Sequence, residues 1–509
     1  VEGYCERVIF TFHFSPFTSS SMPQVIIIGA GFAGLSAASF MAKAGWKVTV
    51  LEKNDQPGGR ARQWKTDGFT FDMGPSWYWM PDVFERFFNQ FGKSVSDYYE
   101  LDRLDPSYQV VWPNGEMNIP AGLPALKELF ESIEPGAANA LQQFMDEAAY
   151  KYQVGMNKLV HKPGQSITEF IDWDLVRGVF KLDVFTSMRT HVHKFFKDPQ
   201  LRLLMEFPVI FLGAMAENTP ALYSLMNYAD MVGGTWYPKG GMYSIVQAMY
   251  QLALEQGVEF HFNEEVKEIS LQRSRVTAVK TDRTEYQADA VIGGADYHHI
   301  ETALLPASHR SYSETYWDSR VMAPSCLLYF VGLNRKLSNL HHHTLFFDTS
   351  FENHAKEIYQ HPAWPTDPLF YMSAVSVTDP GSAPPGGENL FLLIPVAAGL
   401  KDDTPEIREH YFNLLMDRLE KKLGQPVRDA IVVKRSFAHR DFENDYHSFK
   451  GNAYGLANTL KQTAILKPSC RSKKVENLYY TGQLTVPGPG VPPSLISGEL
   501  VAKEVIRNF

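Results

Sequence analysis

The sequence predicts an α/β chain built on a parallel sheet whose strands lie far apart in sequence, and three observations predict it. A β-branched run, Gln24-Val25-Ile26-Ile27-Ile28, leads straight into a glycine-rich turn and a small-residue helix. A second such run, Lys47-Val48-Thr49-Val50-Leu51, follows that helix and ends on a carboxylate, Glu52. A strand–glycine–helix unit recurs near the C-terminus, with a returning strand at 288–295 between them.

Each element follows in order. In the turn Gly29-Ala30-Gly31-Phe32-Ala33-Gly34, Gly29 permits the tight bend, Gly31 lets the backbone approach a pyrophosphate, and Gly34 lets helix and strand pack closely. The helix at 35–44 starts with free N–H groups and a partial positive charge that favours phosphate, and Phe32 and Ala33 in the turn before it are candidate cofactor contacts. Gly45 stands where a helix C-cap is expected. Glu52, about twenty residues on, is placed to accept both ribose hydroxyls, with Lys53 beside it, and its charge disfavours a 2′-phosphate. This is the pattern of a Rossmann-type dinucleotide-binding unit.

Later segments specify FAD. Pro57-Gly58-Gly59-Arg60-Ala61-Arg62 resembles the second signature of the FAD-dependent amine oxidase and desaturase superfamily, in which this stretch wraps the far side of the pyrophosphate. Arg60 supplies a charge-assisted bond there. Tyr237-Pro238-Lys239-Gly240-Gly241-Met242 precedes an amphipathic helix, a strand follows at 258–262, and in that superfamily the backbone near Val266 contacts adenine. Asn477-Leu478-Tyr479-Tyr480 closes on Thr481-Gly482-Gln483. A stiff loop from Pro487 through Gly490, Val491 and Pro493 then precedes a helix at 494–506, whose N-terminus faces the flavin edge where negative charge develops.

The expected organisation is a discontinuous Rossmann-type FAD-binding domain (22–100, 235–295 and 445–509), an inserted α+β substrate domain whose antiparallel-sheet region is 296–444, and a helical, membrane-facing subdomain at 101–234. Within 296–444, strand-like runs at 327–333, 369–377 and 390–396 suggest a sheet walling a substrate cavity, the last two joined by a long Asp379–Gly387 connection. Residues 179–212 alternate apolar and basic side chains, including Lys181, Arg189, Lys194 and Lys197, which suits either a monotopic membrane contact or a core helix with a solvated basic face. Residues 1–21 lack the features of a signal peptide and are taken as an appended leader, with the natural start at Met22.

Composition excludes several classes. Over 509 residues, 44% hydrophobic and 21% charged content places the chain among folded proteins of more than one core. A net charge of −9 argues against a nucleic-acid partner. Cys5, Cys326 and Cys470 fit neither a disulfide framework nor a metal site, and a reducing cytoplasm is the expected compartment. His341-His342-His343 suggests a metal, but consecutive side chains diverge and no carboxylate or thiolate pattern completes a site, so none is assigned.

From Met22 onward the chain resembles bacterial phytoene desaturases and their carotenoid-desaturase relatives. The matching motifs are Gly29–Gly34, Glu52 with Gly58-Gly59-Arg60-Ala61, Phe69-Thr70-Phe71-Asp72-Met73-Gly74-Pro75, Trp236–Gly241 and 482–499. The stretch from Asp72 through Gly74, Pro75 and Ser76 to Pro81 is similar to the flavobacterial form, and 444–455 fits the family's approach to the flavin domain. The terminal block departs from the commoner glycine-rich pattern by carrying Pro487, Pro489, Pro492 and Pro493.

The resemblance implies an FAD-dependent oxidoreductase that dehydrogenates a C–C single bond of a carotenoid by hydride transfer to flavin N5. Phytoene, desaturated towards neurosporene or lycopene, is the leading substrate. A late-pathway 3′,4′-desaturation of a monocyclic or hydroxylated carotenoid is the alternative, and the superfamily also holds amine oxidases and non-enzymatic prenyl-protein escort modules. Oxygen or a quinone takes the electrons, and Glu169 stands where the family often has an acid. A long polyene loses roughly 0.8 kcal/mol for each CH₂ it exposes to water, so direct transfer from the inner face of the cytoplasmic membrane is expected.

Overall fold

The protein, described here from a computed structural model, is defined over residues 22–164, 182–459 and 462–509. Five parallel strands form the first sheet, in the spatial order Leu478–Tyr480, Ala290–Gly293, Gln24–Ile28, Lys47–Leu51 and Glu259–His261. Ile26 pairs with Val291 on one side and Thr49 on the other, in the centre of the sheet. Val25, Ile26 and Ile27 are buried on both faces, which is why this strand reads as a continuous apolar run.

The helix Phe32–Lys43 covers one face and is crossed by the terminal helix Val491–Asn508. At the crossing, a Cβ on Gly498 would lie 2.3 Å from the Ala33 carbonyl oxygen, so the two backbones touch. Ser36 Oγ donates to the Leu495 carbonyl at 2.7 Å across the same contact. Both helices start three residues before the sequence-predicted positions. Gly31 is the extended N-cap of the first, and Pro492 and Pro493 occupy the opening turn of the second, where a missing N–H costs no helical bond.

A seven-stranded mixed sheet forms the other half, in the order Ile431–Phe437, Ser325–Leu333, Glu388–Val396, Phe370–Ser373, His343–Phe346, Tyr108–Trp112 and Gly115–Ile119. Phe370–Ser373 and Glu388–Val396 pair antiparallel across the long 379–387 connection, as the sequence suggested. Residues 101–234 are less uniformly helical than expected. Tyr108–Trp112 and Gly115–Ile119 form a hairpin that extends this sheet, with Trp112 opposite Gly115 across a Pro113-Asn114 turn. Aromatic and β-branched residues ahead of Pro-Asn-Gly are a hairpin signal that an emphasis on Phe, Met and Leu content passes over.

The helices Leu123–Ile133, Ala137–Val154, Met188–Phe195 and Pro199–Glu206 pack beneath this sheet, sharing a core that includes Phe130, Phe144, Phe196, Leu204, Tyr108 and Phe330. Among the described residues, no helix is long and apolar enough to cross a membrane. Among the described residues, Cys326 and Cys470 are buried and form no disulfide.

Candidate active site

A cavity of about 440 Å³ runs from the carboxyl ends of the parallel strands to the inner face of the seven-stranded sheet. Such crevices are the usual ligand position in open parallel sheets. Gly29, Gly31, Phe32, Ala33, Glu52, Lys53, Gly59, Arg60, Gly74, Pro75, Ser76, Val266, Gly482, Gln483, Gly490 and Val491 all line it. Gly34 does not reach the wall. A Cβ there would lie 2.0 Å from the Gly29 carbonyl oxygen, so Gly34 acts by letting the helix close on the turn.

The cradle is made of backbone. Nothing lies within 4 Å of the position a Gly31 Cβ would take, so the turn is open on the side facing the cavity. Glu52, buried at the end of its strand, accepts from Ala30 N–H at 2.7 Å through Oε2, and from Asn54 N–H and Nδ2 at 2.9 Å through Oε1. Those bonds hold the turn while the carboxylate still lines the cavity. Val491 opens the terminal helix behind Gly490, and its N-terminal turn meets the same cavity.

Arg60 closes the far side. Its Nη2 donates to Ser448 Oγ and, at 3.3 Å, to the Asn452 carbonyl, and its guanidinium lies 5.5 Å from the Tyr446 ring centre. Its Nε is buried without a partner among the described residues, a donor free for an anionic oxygen. Burial lowers the Arg60 pKa against the opposing field of Asp296, whose own carboxyl burial pushes up. Lys53 turns to the wall, donating to the Asn444 carbonyl and sitting 3.2 Å from His447 Nε2. An open glycine turn, a carboxylate at the second strand, an orphaned guanidinium N–H and a helix N-terminus around one crevice fit FAD.

The other end of the cavity is apolar, walled by Phe207, Met226, Leu328, Leu345, Phe347, Leu369 and Leu393, with Trp77 and Trp79 between the halves. His354 lines it, but Nε2 contacts the Pro395 carbonyl at 2.8 Å and Nδ1 accepts from Leu369 N–H at 3.0 Å. Burial lowers its pKa to about 4, so the ring is neutral and committed. Among the described residues walling this end there is no carboxylate. Glu169 lies outside the described residues.

A model of the flavin-containing amine oxidoreductases matches residues 32–506. The chain belongs to this family. It is 41% identical over 490 residues to a carotenoid 3,4-desaturase of Haloarcula japonica, covering 96% of this chain and 98% of that one. It is 30% identical over 492 residues to a zeta-carotene-forming phytoene desaturase of Myxococcus xanthus, covering 95% and 94%. An oxidoreductase from Methanosarcina mazei shares the fold, with a TM-score of 0.61 at 15% identity, covering 94% of this chain and all of that one. The protein is an FAD-dependent carotenoid desaturase, an oxidoreductase of CH–CH groups.

Sequence reasoning missed part of the desaturase's cavity wall. His447 adopts a left-handed backbone (φ 52°), stacks on His299 at 3.9 Å and contacts Glu265 at 2.8 Å. Asp296 caps the helix Tyr297–Ala303 by accepting from His299 N–H, and also accepts from Phe449 N–H at 3.2 Å. Asp296 was findable, because it follows the glycine turn that ends a returning parallel strand. The His447–His299 stack joins positions about 150 residues apart and carries no local signal.

Proposed function

We propose that this desaturase introduces a double bond near one end of a long carotenoid, at a 3,4-type position, rather than carrying phytoene through its central desaturations. The observation that carries this reading is the 41% identity, end to end, with a carotenoid 3,4-desaturase, against 30% with a phytoene desaturase of similar coverage. Phytoene desaturation, favoured from the sequence, becomes the second reading.

When bound, FAD supplies the hydride acceptor. The chain's own part is to bind and exclude. The apolar walls from Phe207 to Leu393 strip water from the polyene and hold one C–C bond in reach, so positioning carries much of the rate. The bound cofactor is held in this reading by Gly29 to Ala33, Glu52, Lys53, Gly59, Arg60, Gly74 to Ser76, Val266, Gly482, Gln483, Gly490 and Val491. Glu169 takes the proton that leaves the substrate carbon. Oxygen or a quinone reoxidises the enzyme.

In this reading the chain comprises a discontinuous FAD domain, an inserted α+β substrate domain and a helical, membrane-facing subdomain on the inner face of the cytoplasmic membrane. Support for the last comes from Phe185, 84% exposed, and from exposed Lys194 and Lys197 on the same subdomain. Arg189 is committed to Glu217 at 2.7 Å, and Lys181 lies outside the described residues.

Pigment chromatography of two strains expressing the chain, one accumulating phytoene and one lycopene, tests the substrate. Unchanged phytoene together with red-shifted, more unsaturated products from lycopene is expected. Neurosporene or lycopene formed in the phytoene strain would overturn it.

A further inference from the structure

The prolines that set the terminal block apart have a buried polar pair behind them. Pro489, Gly490 and Val491 line the flavin cavity, and Gly488, one residue earlier, packs against Lys467 and Asn458. A Cβ on Gly488 would lie 3.1 Å from Lys467 Nζ, 2.9 Å from Asn458 Oδ1 and 3.1 Å from Asn458 Nδ2. Thr485, on the same loop, donates to the Pro468 carbonyl at 2.6 Å and fixes the lysine's segment against the wall. The amine therefore sits one layer of chain behind the cavity.

Both side chains are only 5% exposed. Lys467 Nζ and Asn458 Oδ1 have no hydrogen-bond partner among the described residues. A donor without an acceptor and an acceptor without a donor are each costly to bury, and here they flank one point.

Burial alone pushes the Lys467 pKa down to about 7. Gly164 packs on Ala464 and Val486 beside this turn, and its segment carries Lys162 and His161. His161 meets Arg86 and Glu499, which pair at 2.9 Å on the neighbouring helices. None of these charged groups contributes to the shift at Lys467. The amine stands on the edge of charging with no anion to meet it.

The missing anion arrives with the reaction. Hydride transfer puts a negative charge on the flavin, at the edge that the helix N-terminus behind Gly490 faces. We propose that Lys467 stores a compensating proton for the flavin: its amine charges as the ring is reduced, and Asn458 Oδ1 receives the new N–H. The step balances, since two electrons and one proton give the reduced ring its negative charge and one further proton from solvent settles on Nζ. Reoxidation returns that proton to solvent. The two charges attract through buried chain, where screening is weak. Lys467 is thus a positioning residue that sets the reduction equilibrium, and its role is independent of which bond is desaturated.

The test reduces FAD-loaded wild type and Lys467→Met anaerobically with a chemical reductant and no carotenoid. It reads the reduction potential and the protons taken up per two electrons across a pH series. Methionine replaces the amine with an apolar chain of similar length, so flavin content should hold. If the charged amine favours reduction about tenfold, it titrates near pH 7 beside the oxidised ring and about pH 8 beside the reduced one. Wild type should then take up about 0.5 proton more than Lys467→Met near pH 7.5, an excess that vanishes below about pH 6 and above about pH 9. At about pH 6 the variant should be about tenfold harder to reduce, and by about pH 9 the two should coincide. Equal potentials at the acid end, or equal proton counts at the midpoint, would overturn the proposal. Should the variant lose flavin, wild type still decides, because a proton count without a rise near about pH 7.5 overturns it as well.

Discussion

The two sheets meet around one cavity but contribute to it by different physical means. The parallel sheet presents backbone: an open glycine turn, a helix N-terminus, and a carboxylate whose bonds go to main-chain N–H groups and to Asn54. The seven-stranded sheet presents side chains, and its shape depends on pairs such as Phe346 on Phe370 at 3.9 Å and Tyr371 on His343 at 2.6 Å. A cofactor that is always the same is met by geometry that tolerates almost no substitution. A substrate that differs among relatives is met by side chains that can be exchanged one at a time.

The largest expected effect separates two tasks within the glycine turn. Gly34→Ala places a Cβ 2.0 Å from the Gly29 carbonyl oxygen and should destabilise even the apoprotein by more than about 3 kcal/mol, read by urea unfolding. Gly31→Ala meets nothing within 4 Å, so apoprotein stability should stay within about 0.5 kcal/mol. Its flavin retention should nevertheless fall at least about tenfold, read by absorbance after gel filtration. If both variants lose stability equally, the turn is not divided between packing and binding.

In the substrate half the reverse dissociation is expected. His354→Ala strands the Pro395 carbonyl and the Leu369 N–H, both inside the sheet region, at a cost of about 2–3 kcal/mol. Flavin content should remain that of wild type. Loss of flavin in this variant would show that the two halves fold as one unit.

Asp230 ties the halves together, and its titration reports on the seam. It accepts from Tyr108 Oη at 2.9 Å and Thr235 Oγ1 at 3.0 Å, and Trp79 Nε1 donates to Thr235 Oγ1 at 2.9 Å. Burial pushes its pKa up to about 7. A carboxyl raised above its unfolded value of about 3.9 contributes stability that is fully present below that pH and is lost as pH rises through 7. Between pH 5 and 8 wild type should therefore lose about 1–3 kcal/mol more than Asp230→Asn, by denaturant titration at each pH. Asp72, pushed up to about 6 by burial, titrates in the same direction and remains as background in both proteins.

The same contrast explains what the sequence revealed. Gly29, Gly31, Gly34, Glu52 and Arg60 act through local turns and a fixed strand–helix order, so their spacing is enough to place them. The second sheet joins Thr344 to Gln109 in parallel register and Leu328 to Phe437 antiparallel, pairings of long range that no window of residues reports. The histidine triplet was visible as a motif, but its meaning was not. Only the packing shows that His343 stacks on Trp77 while its neighbour His342 lines a polar cavity.

The smallest effect on the fold is expected at Phe185, which is 84% exposed and stabilises little by its own burial. Phe185→Ser with Lys194→Glu and Lys197→Glu should leave stability within about 0.5 kcal/mol. A phenylalanine entering the headgroup region contributes about 2 kcal/mol, and each lysine near anionic lipid about 1 kcal/mol. Sedimentation with anionic liposomes should therefore show affinity weakened roughly a thousandfold. Turnover of a carotenoid presented in liposomes should fall with it, whereas turnover in detergent micelles should not. That separation assigns the exposed face to substrate delivery and the sheet face to substrate choice. Unchanged liposome binding would return Phe185 and its basic neighbours to an ordinary solvated surface.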